Sequence, residues 1–511
     1  MGSEQQHSGA ERAKSGSFAG NVARLSAGEG VAQIIAVLSL PVLARLYASS
    51  EFGIFSIFTS VLTILFPLTT LRYNNAMMLP EKESEAANLL ALSIAAVLGF
   101  GLLAGCAVAL YVLLPSVQAR WPVPAATAYL ALMPPSMIIA GCAQAMIFWA
   151  LRQKMFTPMA ASRVVESVSD KALAITAGAL LGGSALWLIA ARMVGPLLGA
   201  FYLARTAVLS SLGHLRRQVS LREMSRLARR YKDFALFSNF AFLINNLYRE
   251  LPLIFLAGLF SVEVAGYYGL AMRAVKMPTQ LLGEAISRAF FQLAAAQGGR
   301  REGLAKDTVK LLRSLLTASL PLLAVLILLG RPIFEILFGS EWREAGRYCE
   351  ILAAYVLVFF VFRPLSVLFD VFEKQRERLL FNVVVLAAQS GVLLLGSRWT
   401  GSAPATLMLF TAVSVVIHAA GCGYLLRLAG VRLAEVCGIV ASKLAGMLPL
   451  AVGLGVSRSL LPGHPASSAM VLATCFLAQG WWMVRHDPEA REVTGRILLR
   501  FRRPADGRPN P

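Results

Sequence analysis

The strongest constraint on this chain is a succession of about fourteen apolar windows, each long enough to cross a lipid bilayer, which needs about 20 consecutive apolar residues in a helix. They lie near residues 23–44, 53–71, 88–114, 126–150, 164–181, 185–205, 236–258, 264–290, 310–330, 347–370, 379–396, 403–426, 436–456 and 466–485. Inside hydrocarbon no water pairs with backbone amides, so such segments must be helices that satisfy their own hydrogen bonds. The expected fold class is therefore an all-α polytopic membrane protein with about 14 transmembrane helices, and a hydrophobic content of 57% agrees. The fifth window (Glu166, Asp170, Lys171) and the eighth (Arg273, Lys276) are polar enough to be missed by hydropathy alone. Residues 1–19 are polar, without the apolar core and cleavage pattern of a secretory signal, and are expected to be a disordered cytoplasmic tail.

A net charge of +20 invites a nucleic-acid reading, but its distribution argues against one. Roughly 34 of the 48 Lys and Arg residues fall in the termini and even-numbered loops, against roughly seven in the odd-numbered loops. That bias places both termini in the cytoplasm and argues against a nucleic-acid partner. The densest basic block, "GHLRRQVSLREMSRLARRYKDF", alternates apolar residues with arginines at near-helical spacing. It reads either as an amphipathic helix resting on anionic membrane lipids or as a solvated linker. It occupies 211–233, between a first bundle at 20–210 and a second at 234–430. Two accessory helices follow at 431–486, then a basic cytoplasmic tail at 487–511.

The two bundles resemble each other. "LPVLARLYASSEFGIFS" runs from Pro41 to Gly53 and an aromatic, and "LPLIFLAGLFSVEVAGYYG" runs from Pro252 to Gly266 and an aromatic. "FWALRQKMF" and "VFEKQRER" each end a span in a basic-Gln-basic triplet. Six spans per repeat give both repeats the same orientation, implying a pseudo-two-fold axis along the membrane normal with a cavity between bundles.

The stretch 234–296, "FALFSNFAFLINNLYRELPLIFLAGLFSVEVAGYYGLAMRAVKMPTQLLGEAISRAFFQLAAA", with "LPVLARLYASSEFGIFSIFTS" and "LRYNNAMMLP", resembles the lipopolysaccharide and exopolysaccharide flippases of the multidrug/oligosaccharidyl-lipid/polysaccharide (MOP) exporter superfamily. The resemblance covers about residues 20 to 430. It implies a V-shaped pair of six-helix bundles plus two extra C-terminal helices, alternating access, and a polyprenyl-diphosphate-linked oligosaccharide as cargo. A polysaccharide polymerase and a chain-length regulator are the protein partners such a function suggests. Relatives commonly hold uncharged polar residues where this chain has Arg249 and Glu250, so a role for that pair does not follow from the resemblance.

A charge near the bilayer centre costs about 2.5 to 3.5 kcal/mol, so these charges must be hydrated or paired. Arg273, Lys276, Gln280, Glu284 and Arg288 share one face of the eighth span; Ser238, Asn245 and Arg249 share a face of the seventh; Ser26, Glu29 and Gln33 share one on the first. The resemblance places these helices around the central cavity. A diphosphate would be gripped by paired hydrogen bonds from Arg and by Lys as a point charge, making Arg249, Arg273 and Lys276 candidate headgroup contacts, with Arg72 where a headgroup first meets charge. Glu29, Gln33, Asn245, Glu250, Gln280 and Glu284 are the polar and counter-charge residues of that lumen. The competing reading pairs Arg249 permanently with Glu29 or Glu284, and leaves Arg72 as an interfacial anchor.

Arg163, Glu166 and Asp170, and likewise Arg363 with Asp370, read as self-compensating pairs; Asp370 and His418 are alternatively candidates for a coupling Na+ or H+. Pro41 and its counterpart Pro252 are candidate hinges, with static kinks as the plain alternative. No phosphate-binding nucleotide loop occurs, the six cysteines form no C-x-x-C pair, the five histidines offer no zinc pattern, and no catalytic set emerges. No cofactor and no metal are expected, and the chain is not expected to be an enzyme. Two rivals stand beside the flippase. One is a cation-coupled multidrug exporter of the same fold. The other is a membrane glycan polymerase or ligase, for which the longest candidate outer loop, 331–346, is short.

Overall fold

A computed structural model of the chain describes residues 2–115, 127–207, 218–296 and 301–447. Twelve long helices carry the described structure: α1 (Gly2–Leu46), α2 (Ser49–Thr70), α3 (Glu83–Leu113), α4 (Met133–Arg152), α5 (Phe156–Leu181) and α6 (Ala185–Ala207), then α7 (Asn239–Leu259), α8 (Val262–Ala296), α9 (Arg301–Phe338), α10 (Arg343–Leu365), α11 (Gln375–Thr400) and α12 (Ala403–Leu428). A shorter α13 (Leu433–Ala445) begins the thirteenth expected span, and the fourteenth lies outside the described residues. Helix α1 begins at Gly2, so the polar N-terminal residues expected to be disordered instead continue the first helix.

Among the described residues, nine helical segments are long and apolar enough to cross a membrane. Helices α5, α7 and α8 have the length but fall short on composition, because each carries charges within its apolar run. The fifth and eighth windows behave as the sequence predicts; α7 joins them through Arg249, Glu250 and its asparagines.

The chain divides into two compact units, Met1–Leu270 and Ala271–Pro511. The boundary falls inside α8 rather than in the 211–233 linker, because α7 packs along α2 in the first unit. The start of α8, up to Leu270 in the same unit, approaches the backbone of α2 closely as well. A Cβ on Gly53 would lie 2.0 Å from the Val262 carbonyl oxygen, and one on Gly266 would lie 1.9 Å from the Ser49 carbonyl oxygen. The glycines at matching places in the two sequence repeats are thus the small residues of one helix crossing.

Elsewhere in the first unit, α1 packs on α5 and α5 on α6. Gly28 abuts Ala160, the Tyr47 hydroxyl donates to the Ala174 carbonyl (2.6 Å), and the Ser167 hydroxyl donates to the Ala32 carbonyl (2.8 Å). In the second unit, α9, α10, α12 and α13 surround an apolar core that includes Leu304, Leu312, Phe360, Leu365, Leu425 and Ile439.

The repeats also share a turn. After α4, the Met155 amide donates to the Ala150 carbonyl (2.9 Å) and Lys154 is left-handed; after α10, the Lys374 amide donates to the Phe369 carbonyl (2.7 Å) and Glu373 is left-handed. Each is the six-to-one closure of a helix end. The equivalence pairs Lys154 with Glu373, which corrects the match of the two basic-Gln-basic triplets by three residues. The triplets agree in composition, but the backbone that turns lies one helical turn away from the place their alignment implies.

The basic linker is docked on the protein. Its helix, Leu221–Arg230, buries Leu227, followed by Tyr231, in a cluster with Tyr73, Met77 and Trp149. Arg226 (2.8 Å) and Arg230 (3.5 Å) reach Glu85, while Asn88 accepts from the Ser220 amide and donates to the Gln218 carbonyl. Of the two readings, neither has this helix docked: among its described apolar residues Leu227 and Tyr231 go into the protein, while Val219 and Leu221 are exposed. Asn88 holds the start of the helix and Glu85 its end.

Candidate functional site

The first-unit site is built on α2 and α7. Helix α2 carries Ser56, Thr59, Ser60 and Thr63 in its middle, three and four residues apart; Thr59 and Thr63 return their hydroxyls to the carbonyls of Phe55 and Thr59, which leaves Ser60 to look to a neighbouring helix. Helix α7 answers it: Ser60 donates to the Glu250 carboxylate at 2.7 Å, and the Asn246 amide donates to the Thr63 carbonyl at 2.8 Å. Glu250 is therefore held by a buried serine hydroxyl. Its neighbour Arg249 is half-buried and, among the described residues, has neither a hydrogen-bond nor an ion-pair partner. That corrects the reading in which Glu29 neutralises Arg249: Glu29 is exposed on α1 and makes no such contact. Asn245 and Gln33 are half-buried on α7 and α1.

Helix α2 ends in two consecutive left-handed residues, Leu71 (φ 47°) and Arg72 (φ 57°). Neither is glycine, so the turn is strained by of order 1–3 kcal/mol per residue and is held by its surroundings. The Thr70 hydroxyl donates to Asn74 (3.0 Å) and accepts from the Arg72 amide (3.3 Å). The strain aims the Arg72 guanidinium at the face of Phe242 on α7, 3.7 Å from the ring centroid, and leaves its buried Nε without a hydrogen-bond partner. A guanidinium stacked on a ring keeps its outer N–H edge for an anion. The sequence pointed to Arg72; the signal for Phe242 was absent, because an aromatic in an apolar helix looks like any other.

The second unit carries the remaining candidates. Arg273 and Lys276 are half-buried on α8 and each is already engaged in a contact; the side chains of Gln280 and Glu284 lie outside the described residues. Asp370 is not paired with Arg363, as the seven-residue spacing suggested. Both of its oxygens are taken by Arg378 at 2.9 and 2.8 Å, because the chain turns after α10 and brings the start of α11 alongside. Arg163 does pair with Glu166 (3.0 Å), but Asp170 pairs with Lys171 (2.9 Å). His418 is buried, its Nδ1 2.8 Å from the Ser414 carbonyl, inside a cage of Tyr355, Phe359, Phe362 and Phe381. Pro41 and Pro252 sit within helices that continue past them; among the described residues, the non-helical backbone inside a long helix is at Leu329 of α9. No group of three or more metal-ligating side chains occurs among the described residues.

A family model described as polysaccharide biosynthesis protein matches residues 42–347, which span both units and most of these candidates. The chain belongs to that family. The fold of this polysaccharide biosynthesis protein is similar to that of a lipid II flippase MurJ in an inward closed conformation, at a TM-score of 0.67 and 12% identity, over 90% of this chain and 98% of that one. It is also similar to an inward-facing multidrug resistance MATE family transporter of the MOP superfamily, at a TM-score of 0.63 and 15% identity over 78% and 95% of the two chains. A MOP superfamily transporter from Pyrococcus furiosus with a binding pocket of reverse polarity is similar at a TM-score of 0.55 and 13% identity over 80% and 95%. No curated protein matches the sequence. The described elements are helical, and the chain is a multi-pass membrane protein of the MOP fold.

Proposed function

We propose that the protein is a flippase that moves a polyprenyl-diphosphate-linked oligosaccharide across the bacterial inner membrane by alternating access, with both termini cytoplasmic, for lipopolysaccharide or exopolysaccharide biosynthesis. The observation that carries this reading is Arg249, a half-buried cation set in the apolar run of α7 without a partner among the described residues, beside a glutamate already committed to Ser60. An unpaired cation at that depth is costly unless water or an anionic cargo compensates it. A diphosphate supplies that anion, and Arg72, stacked on Phe242, presents a second guanidinium in the same unit. Arg273 and Lys276 complete the proposed headgroup contacts. The chain's role is transport, with no chemical step assigned to it. Pro41 and Pro252 are the proposed bending points, and a Na+ or H+ gradient the proposed drive. Asp370, held by Arg378, and His418, in its cage, would take part in that drive by exchanging these partners.

Proteoliposomes offered a fluorescent polyprenyl-diphosphate oligosaccharide test this. Arg249→Ala should lower translocation at least tenfold with thermal stability unchanged, and Arg249→Lys should fall between. Export of a cationic dye without glycolipid movement would overturn the reading in favour of a drug exporter. Loss of folding in Arg249→Ala, with normal transport per folded molecule, would make Arg249 structural.

A further inference from the structure

A second concentration of positive charge lies far along the chain from Arg249, wholly within the second unit. The first turns of α9 and the turn between α12 and α13 enclose a concavity of about 440 Å³, lined by Lys306, Lys310, Arg313, Arg432 and Glu435 over a floor that includes Val309 and Val431. Lys306, Lys310 and Arg313 are four and three residues apart, so they share one face of α9. Gly430, with φ of 88°, turns the chain so that Arg432 stands as the N-cap of α13. The floor is part of the unit's rigid core: Leu304 is fully buried, Val431 is 4% exposed, and both belong to one packed cluster with Leu312 and Ile439.

Lys310 is engaged in a contact of its own. Lys306, Arg313 and Arg432 are exposed and, among the described residues, have no hydrogen-bond or ion-pair partner. Glu435 is the one carboxylate in the lining. With Lys310, four cations face one carboxylate in the lining, an excess of positive charge in one concavity. The ordinary basic bias of an inner-face loop accounts for positive charge here, but it does not require the charges to converge on a concavity with a buried apolar floor. Such convergence costs repulsion unless an anion sits there, and the apolar floor suits an anion carried on a lipid.

We propose that this concavity binds a membrane phospholipid with two phosphodiesters, such as diphosphatidylglycerol, one for each of the two arginines in the lining. Arg313 and Arg432 each grip a phosphate by paired hydrogen bonds, Lys306 adds a point charge, and the glycerol backbone rests on Val309 and Val431. The acyl chains run along α13, where Leu444 is 49% exposed. On the orientation proposed above this is the cytoplasmic leaflet. The site is distinct from the proposed headgroup contacts, and its test does not depend on transport.

The test is native mass spectrometry of the full chain with tetraoleoyl diphosphatidylglycerol added, comparing wild type with Arg432→Ala and with Lys306→Ala/Arg313→Ala. These side chains are exposed, so the variants keep the fold, which unchanged thermal unfolding verifies. Wild type should retain one such lipid at least tenfold more strongly than either variant, and more strongly than dioleoylphosphatidylglycerol. Equal retention in wild type and variants overturns the site. Equal retention of the single-phosphate lipid overturns the two-phosphate assignment. Displacement by inorganic pyrophosphate overturns the lipid as occupant, and displacement by a polyprenyl diphosphate gives the site to the transported lipid instead.

Discussion

The crossing of α2 with the start of α8 supplies the sharpest test of how this fold is held. A Cβ built on Gly266 lies 1.9 Å from the Ser49 carbonyl oxygen, whereas carbon and oxygen in close backbone contact sit at about 3.3–3.6 Å. Gly266→Ala must therefore push the backbones apart by about 1.4 Å at that point, and Gly53→Ala, at 2.0 Å from the Val262 carbonyl, by nearly as much. Both obstacles are main-chain atoms that no rotamer change removes. Overpacking of this kind costs about 1–3 kcal/mol, and replacing a helical glycine returns only about 0.5–1 kcal/mol. Each single variant should be less stable by about 1–2 kcal/mol. Once one methyl has separated the helices the second finds room, so the double variant should cost clearly less than the sum of the two. Thermal unfolding in detergent, with a double-mutant cycle, measures this. Additive costs, or single variants as stable as wild type, would refute the close crossing.

Ser60→Ala removes the hydroxyl that holds Glu250 and should destabilise by about 1.5–3 kcal/mol, a cost that shrinks in an Glu250→Gln background; unfolding of the four proteins checks it. Leu227→Ala empties a fully buried position under the linker helix and should cost about 2–5 kcal/mol locally, seen as faster proteolysis at 218–233 before global unfolding. Ser261→Ala removes the cap at the start of α8, whose hydroxyl accepts from the Val264 amide (3.3 Å), at a cost of about 1 kcal/mol. The Ser261 hydrogen bond, chiefly, also holds the Glu263 carboxyl below the usual carboxylate range. Its small contribution is therefore present at neutral pH and lost as pH falls through the lowered value, and the variant should lack that part of the acid-side decline in stability.

The hydrophobic pattern alone determined that this chain is a bundle of membrane-crossing helices, because hydrocarbon permits no other use of such long apolar runs. It also located the repeat, since Pro41 to Gly53 and Pro252 to Gly266 are local patterns that survive in one dimension. It could place Arg249, Glu250 and Arg72 on helix faces, but not say which of them is paired. Pairing depended on Ser60, a residue 190 positions from Glu250, and on Phe242, 170 from Arg72. The same limit misassigned Asp370, whose partner Arg378 comes alongside only through the left-handed turn at Glu373. Tertiary structure alone decided that the repeat glycines meet each other and that the linker helix docks at Glu85. Sequence periodicity fixes what a helix offers on each face, whereas the charge balance at any point is set by which faces are brought together.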